Sequence, residues 1–245
     1  YHRIRITSPG LNFLDYAGSG IGRAAILDST GIEIFWKIFD IPGYTTGSAY
    51  VSMMINVKNA YPGGEYFAGI SPVGSLETGC NVFINDSSGR IAVGLSKGIL
   101  APVYTPAVYS INTTYLIVLK YTFVSGSSND SVSLFIFDNL IPLTEPSPNL
   151  NLSSNSSDLI NAGSVTIFQK ISSNSPRLVI DGIYFRHSWN QQILPVEIVS
   201  FNAIANNRNV TLNWATSSES NNSGFDIERS LFDNQLSMFN DQWDK

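Results

Sequence analysis

The chain reads as all-β: a two-sheet sandwich of jelly-roll type, followed by the opening strands of a second, smaller sandwich. Three observations predict this. Apolar and polar residues alternate at period two along most of the sequence, the mark of half-buried strands. Clusters of Gly, Pro, Ser and Asn punctuate those runs, as at Pro62-Gly63-Gly64, Asp86-Ser87-Ser88-Gly89 and Ser125-Gly126-Ser127-Ser128-Asn129-Asp130. Helical periodicity is scarce, and long segments separate several strands, which suits crossing connections between two sheets better than a barrel of short hairpins.

Strands are expected at 1–6, 32–39, 65–70, 80–85, 89–95, 163–170, 177–185 and 196–204. Val51, Met53, Ile55 and Val57 alternate with Ser52, Met54 and Asn56. Tyr115, Ile117, Leu119, Tyr121 and Phe123 share one face of a long strand whose other face carries Leu116 and Val118, so that strand is expected to lie between two layers. Val132, Leu134 and Ile136 repeat the pattern, as do Val210, Leu212 and Trp214. Residues 81–95 form a hairpin in which Val82 and Ile84 are answered by Ile91 and Val93. The Pro-, Ser- and Asn-rich stretch 142–162 is read as a long surface loop with one helical turn near Asp158. The domains are expected at 1–189 and 195–245, joined by a linker at 190–194. The second has room for three or four strands where such a sandwich needs about seven, so it is expected to be the N-terminal part of its module.

With 245 residues and 43% hydrophobic content, the chain can bury a sizeable core. Charged residues make up only 13%, about half the roughly 25% usual for soluble proteins. Ser, Thr, Asn and Gly replace them, a profile of secreted β proteins. The net charge of −5 and the absence of a Lys/Arg run argue against nucleic acid and against an anionic membrane surface. No apolar run approaches the ~20 residues of a membrane span, so no membrane insertion is expected. The single cysteine, Cys80, excludes an intrachain disulfide and is expected to serve as a small buried hydrophobe.

Catalytic chemistry is hard to find. His2 and His187 stand far apart without ligands at metal spacing; His187, next to Trp189, is expected to cap the end of a strand. No Gly-x-Ser-x-Gly elbow occurs. Gly18-Ser19-Gly20-Ile21-Gly22 lacks the context of a dinucleotide loop and is read as flexible. Glycoside hydrolysis needs two facing carboxylates, and the strand interiors are nearly free of acids, so the chain is not expected to be an enzyme. Sugar binding needs aromatic faces ringed by hydrogen-bonding groups. Tyr44, Tyr61, Tyr66, Tyr104 and Tyr109 lie near turns and are the candidates. No cofactor is expected; calcium is the one ion that the oxygen donors Asp86, Asn129, Asp130 and Asp181 would suit.

Two blocks carry a family resemblance. Ile111-Asn112-Thr113-Thr114 through Gly126, then Asp130-Ser131-Val132-Ser133-Leu134-Phe135-Ile136, resembles the concanavalin A-like jelly-roll domains of secreted Bacteroidota proteins. Val93-Gly94-Leu95-Ser96-Lys97-Gly98 upstream and Leu178-Val179-Ile180-Asp181-Gly182-Ile183 downstream follow the order of that family. Leu194-Pro195-Val196-Glu197, Asn209-Val210-Thr211-Leu212-Asn213-Trp214 and Gly224-Phe225-Asp226-Ile227-Glu228-Arg229-Ser230 resemble the start of a fibronectin type III-like module. The resemblance implies a protein exported by the type IX route to the cell surface or the medium. It also implies O-glycosylation at Ser29 and Ser131, each within an Asp-Ser-Thr or Asp-Ser-Val triplet. The expected function is adhesion or structural scaffolding, with fibres formed where neighbouring copies complete the partial second sandwich. The alternative is a carbohydrate-binding module of a larger secreted protein. Surface glycans and further copies of the chain are the expected partners.

Overall fold

The structure is a computed structural model that describes residues 3–153, 155–189, 196–206, 209–219, 229–230 and 243–244. The chain divides into two units, Tyr1–Leu194 and Pro195–Lys245. The expected linker 190–194 lies outside the described residues.

The first unit is an antiparallel sandwich. In chain order its strands are β1 (Arg5–Thr7), β2 (Ala24–Leu27), β3 (Glu33–Ile38), β4 (Ser48–Asn59), β5 (Glu65–Ser71), β6 (Cys80–Ser87), β7 (Arg90–Lys97), β8 (Val103–Tyr104), β9 (Thr114–Thr122), β10 (Ser131–Phe137), β11 (Leu150–Ser153), β12 (Ser164–Gln169) and β13 (Arg177–Arg186). A seven-stranded sheet runs β1-β2-β13-β4-β9-β10-β11, and a six-stranded sheet runs β3-β12-β5-β6-β7-β8. Five of the eleven neighbouring pairs, β2-β13, β13-β4, β4-β9, β3-β12 and β12-β5, join strands that are distant in sequence, so the chain crosses repeatedly between the layers, as in a jelly roll. No helix among the described residues is long and apolar enough to cross a membrane.

The core lies between the sheets. Val51, Met53 and Ile55 of β4 and Ile117, Leu119 and Tyr121 of β9 meet Val82 and Ile84 of β6 and Val93 and Leu95 of β7, all buried. Each such aliphatic side chain contributes about 1.5–3 kcal/mol on leaving water. Cys80 is buried among them, and burial pushes its thiol well up, so it stays a protonated hydrophobe. The second apolar face of β9 is also covered. Leu116 and Val118 pack beneath Phe13, Tyr16 and Trp189 in a separate cluster on the outer side of the seven-stranded sheet. Trp189 anchors that cover by donating from its indole nitrogen to the Pro142 carbonyl at 2.8 Å. The glycine-rich stretch 18–22 belongs to the same cover. Ser19 Oγ accepts from the Phe13 amide at 2.7 Å, and the Gly20 amide donates to the Leu11 carbonyl at 2.8 Å.

The stretch 142–162 departs from its sequence reading. It contains strand β11, paired with β10 from Ser131↔Ser153 to Leu134↔Leu150, and the residues around Asp158 form no helical turn. Strands β2 and β8 are likewise additions to the expected set.

One edge of the six-stranded sheet is apolar. Among the described residues, strand β3 closes that sheet with no outer neighbour, and Ile34, Phe35 and Trp36 on it are 45%, 54% and 43% exposed. Apolar edge strands template association with other chains. Replacing Phe35 and Trp36 with lysine is expected to raise the concentration at which the protein stays free of aggregates, measured by light scattering, with little change in melting temperature.

The second unit contributes a hairpin of β14 (Val196–Asn206) and β15 (Asn209–Glu219), and a short pair of β16 (Arg229–Ser230) and β17 (Trp243–Asp244).

Candidate functional site

Alternation along the six-stranded sheet sends one set of side chains to the core and the other to the outer face. Where β6 gives Cys80, Val82 and Ile84 to the core, Asn81, Phe83 and Asn85 take the opposite face. Strand register aligns Trp36, Thr166, Gly69, Asn81 and Ser96 in one row across five strands. A parallel row carries Tyr66, Phe83, Gly94 and Tyr104. The outer face is therefore a low polar strip beside an aromatic strip.

Three loops rise around this floor and form a groove of about 910 Å³, walled by residues 76–79, 98–102 and 155–159. Asn81 and Ser96 lie at the bottom, with Phe83, Tyr66 and Phe168 beside them. Tyr66 meets Phe168 edge-on at 4.8 Å and Phe83 at 5.6 Å between ring centroids, and Lys170 Nζ lies 3.1 Å above the Tyr66 ring. Asn81 is 6% exposed. Its Nδ2 donates to the Gly98 carbonyl at 2.9 Å, drawing the 98–102 loop over the sheet, while its Oδ1 has no partner. That oxygen stands over Gly69, where any Cβ would come within 2.7 Å of it. A buried amide oxygen without a donor carries a desolvation cost of about 1–3 kcal/mol, which a donor arriving in the groove would relieve.

The 155–159 wall is held from below. Lys97 continues the core-facing side of β7 and is 1% exposed, and its Nζ lies 2.7 Å from Asp158 Oδ1. The amides of Asn129 and Asp130 donate to the same carboxylate, both at 3.1 Å. Burial pushes the Asp158 carboxyl up, but the Lys97 ammonium and the two amides outweigh it and hold the group below the ordinary carboxylate range. Next to this pair, the Tyr121 hydroxyl donates to Asp130 Oδ2 at 2.8 Å and accepts from the Leu159 amide at 2.8 Å.

Of the five tyrosines expected at a ligand, Tyr66 lines the groove and Tyr104 flanks it, edge-on to Phe83 at 6.4 Å. Tyr44 stacks on Phe185 at 5.7 Å and touches His187 at 3.8 Å, so both it and the histidine serve packing at another place. Tyr109 meets Tyr115 edge-on at 5.2 Å. Tyr61 lies at a separate rim of the sandwich. Asn81, Phe83 and Phe168 escaped sequence reading. The signal was available: aromatic residues occupy positions of β6 and β12 whose neighbours, Val82, Ile84 and Ile167, already fill the core side.

The oxygen donors considered for calcium do not assemble. Asp86 accepts from the Gly89 amide in the β6–β7 turn, and Asp130 is engaged by Tyr121 and the Val124 amide. The Asn129 amide group donates to the Ser125 carbonyl, and Asp181 accepts from the Leu11 and Gly182 amides. Among the described residues, no three His, Cys, Asp or Glu side chains converge on one point. These residues instead close turns and anchor loops. Ser29 is half-buried just after β2, and Ser131 is half-buried at the start of β10 between Thr122 and Ser153.

No family model matches the chain, and no curated protein matches it. Solved structures do. A native heptameric SAP-like pentraxin from Limulus polyphemus matches at 13% identity and a TM-score of 0.39, over 67% of this chain and 81% of its own. The cellulose induced protein Cip1 matches at 14% and 0.39, over 76% and 92%. A polysaccharide lyase of family 18 matches at 9% and 0.35, over 73% and 84%. Identities and scores this low carry no argument about ligand or activity.

Proposed function

We propose that the Tyr1–Leu194 unit is a carbohydrate-binding domain that takes a glycan in the groove on the outer face of its six-stranded sheet. The observation that carries this reading is the floor itself, where Tyr66, Phe83 and Phe168 lie beside the buried, half-satisfied amide of Asn81. Aromatic rings suit the C–H faces of sugars, and a fixed amide suits their hydroxyls. The role is binding, not hydrolysis. Glu77 and Asp158 are the carboxylates lining the groove, and both oxygens of Asp158 are engaged by protein donors, so a free facing pair is wanting.

A secreted, cell-surface protein that adheres through glycans would use such a domain directly, and the resemblance to Bacteroidota jelly rolls and to a fibronectin type III-like module supports that setting. Fibre growth would run through the unit after Leu194, much of which lies outside the described residues.

A glycan array followed by calorimetry tests the reading. Phe83→Ala and Asn81→Ala should each weaken the best glycan by about tenfold or more, with unchanged far-UV circular dichroism. Saturable binding that survives both substitutions would place the ligand elsewhere and end the proposal.

A further inference from the structure

The basic residues of this acidic chain form no cluster in sequence, yet the fold makes one. Arg5 of β1 lies opposite Ile26 of β2, Leu27 of β2 opposite Leu178 of β13, and Arg177 of β13 opposite Asn59 of β4. Four neighbouring strands thereby bring Arg5, Asp28, Arg177, Lys58 and Asn59 to one rim of the seven-stranded sheet. Tyr61 joins them from the β4–β5 loop, and together they line a cavity of about 520 Å³. Three of the 14 Lys and Arg residues meet there.

The one carboxylate of this cavity is already engaged. Asp28 Oδ2 accepts from Arg5 at 3.2 Å, and Oδ1 accepts from the Thr30 amide at 2.9 Å and the Thr30 hydroxyl at 2.6 Å. Arg5 is thus matched, whereas Lys58 and Arg177 have no carboxylate partner among the described residues. The Tyr61 hydroxyl accepts from Asn59 Nδ2 at 2.9 Å, which leaves its own proton to donate. What faces the cavity unsatisfied is a set of donors with a surplus of positive charge.

We infer that this rim binds an oxyanion carried on a sugar, the carboxylate of a uronic acid or a sulfate ester of an acidic glycan. Arg177 offers the planar fork that matches such groups, and Lys58 offers a point charge. The volume falls within the roughly 300–1,000 Å³ of small-molecule sites and leaves room for a sugar ring around the anion. The site is independent of the groove on the other sheet and stands or falls without it.

Amide chemical-shift titration of the full chain with galacturonate, galactose and inorganic sulfate tests the inference. Galacturonate should move the resonances of Lys58–Tyr61 and Arg177 and bind more tightly than sulfate, galactose should leave them in place, and salt should weaken the effect. Lys58→Gln with Arg177→Gln, both at exposed positions, should lower galacturonate affinity by about tenfold to a hundredfold. Lys37→Gln, which removes an exposed charge outside both this rim and the groove, should leave it unchanged. Equal affinity for sulfate and galacturonate would overturn the sugar assignment. Unmoved resonances at Lys58–Tyr61, or a double variant that binds like the parent, would overturn the site.

Discussion

Replacing Asp158 with alanine is expected to destabilise the sandwich by about 3–5 kcal/mol, the usual consequence of removing one partner from a buried ion pair. The Lys97 ammonium is 1% exposed and would lose the carboxylate oxygen that lies 2.7 Å away. The amides of Asn129 and Asp130 would lose theirs as well, which loosens the turn between β9 and β10. A urea titration should show the midpoint falling with an unchanged slope. Because Asp158 also anchors the 155–159 wall, glycan affinity in the groove should fall in parallel.

The same carboxyl sets an acid limit. Its value in the folded protein lies below the ordinary one, so its stabilising contribution is complete above the ordinary carboxylate range. That contribution is lost as pH falls through this range toward the folded value. The stability of the parent should therefore drop on acidification by more than that of Asp158→Asn, which has no proton to take up. Equal acid sensitivity of the two proteins would show that other carboxylates set the limit.

Gly182→Val should be the most damaging single change near the N-terminal cover, costing about 2–4 kcal/mol from backbone strain and overpacking together. Gly182 has φ +56° and lies in the irregularity where β13 shifts register against β4 between Asp181 and Tyr184. A Cβ there would meet the Met54 methyl at 2.8 Å, a Tyr16 ring carbon at 3.0 Å and the Gly18 backbone at 3.2 Å. Its carbonyl lies 2.5 Å from the Tyr16 hydroxyl, which is also 2.8 Å from that of Ser52, so displacement would break a buried bridge. Gly22 provides the control. Its φ is +68° but nothing lies within 4 Å of its missing Cβ, so Gly22→Ala should cost only about 1 kcal/mol. Thermal melts of the two variants separate crowding from backbone strain.

Most of the sandwich was legible because its central strands obey one simple rule. β4, β6, β7 and β9 are long and alternate cleanly, and their core sides matched the buried set. The double-faced reading of β9 was also informative, since Leu116 and Val118 do lie under a second layer. Short peripheral strands were harder. β11 offers only Leu150 and Leu152 to β10, too little periodicity to outweigh the Pro, Ser and Asn around it. Asp158 looked like a loop acid because its partner, Lys97, lies 61 residues away in sequence. The groove was half legible. Tyr66 and Tyr104 could be found beside turns, but Phe83 and Phe168 lie inside strands, away from the turns where ligand-binding aromatics were sought. The basic rim was invisible, since Arg5, Lys58 and Arg177 meet only once four strands are in register.

Beside its aromatic strip the outer face of the six-stranded sheet carries residues with little bulk, Gly69, Gly94, Ser96 and Thr166, while the opposite side of the same strands carries the packed interior. Shape recognition and folding are thereby assigned to different atoms of one sheet. A lineage, or an engineer, could re-contour the outer surface one methyl group at a time and reach new ligands without disturbing the interior beneath. That freedom ends at the two glycines: the first added carbon would come within 2.6 Å of the Tyr104 ring at Gly94, and within 2.8 Å of the Cys80 carbonyl at Gly69.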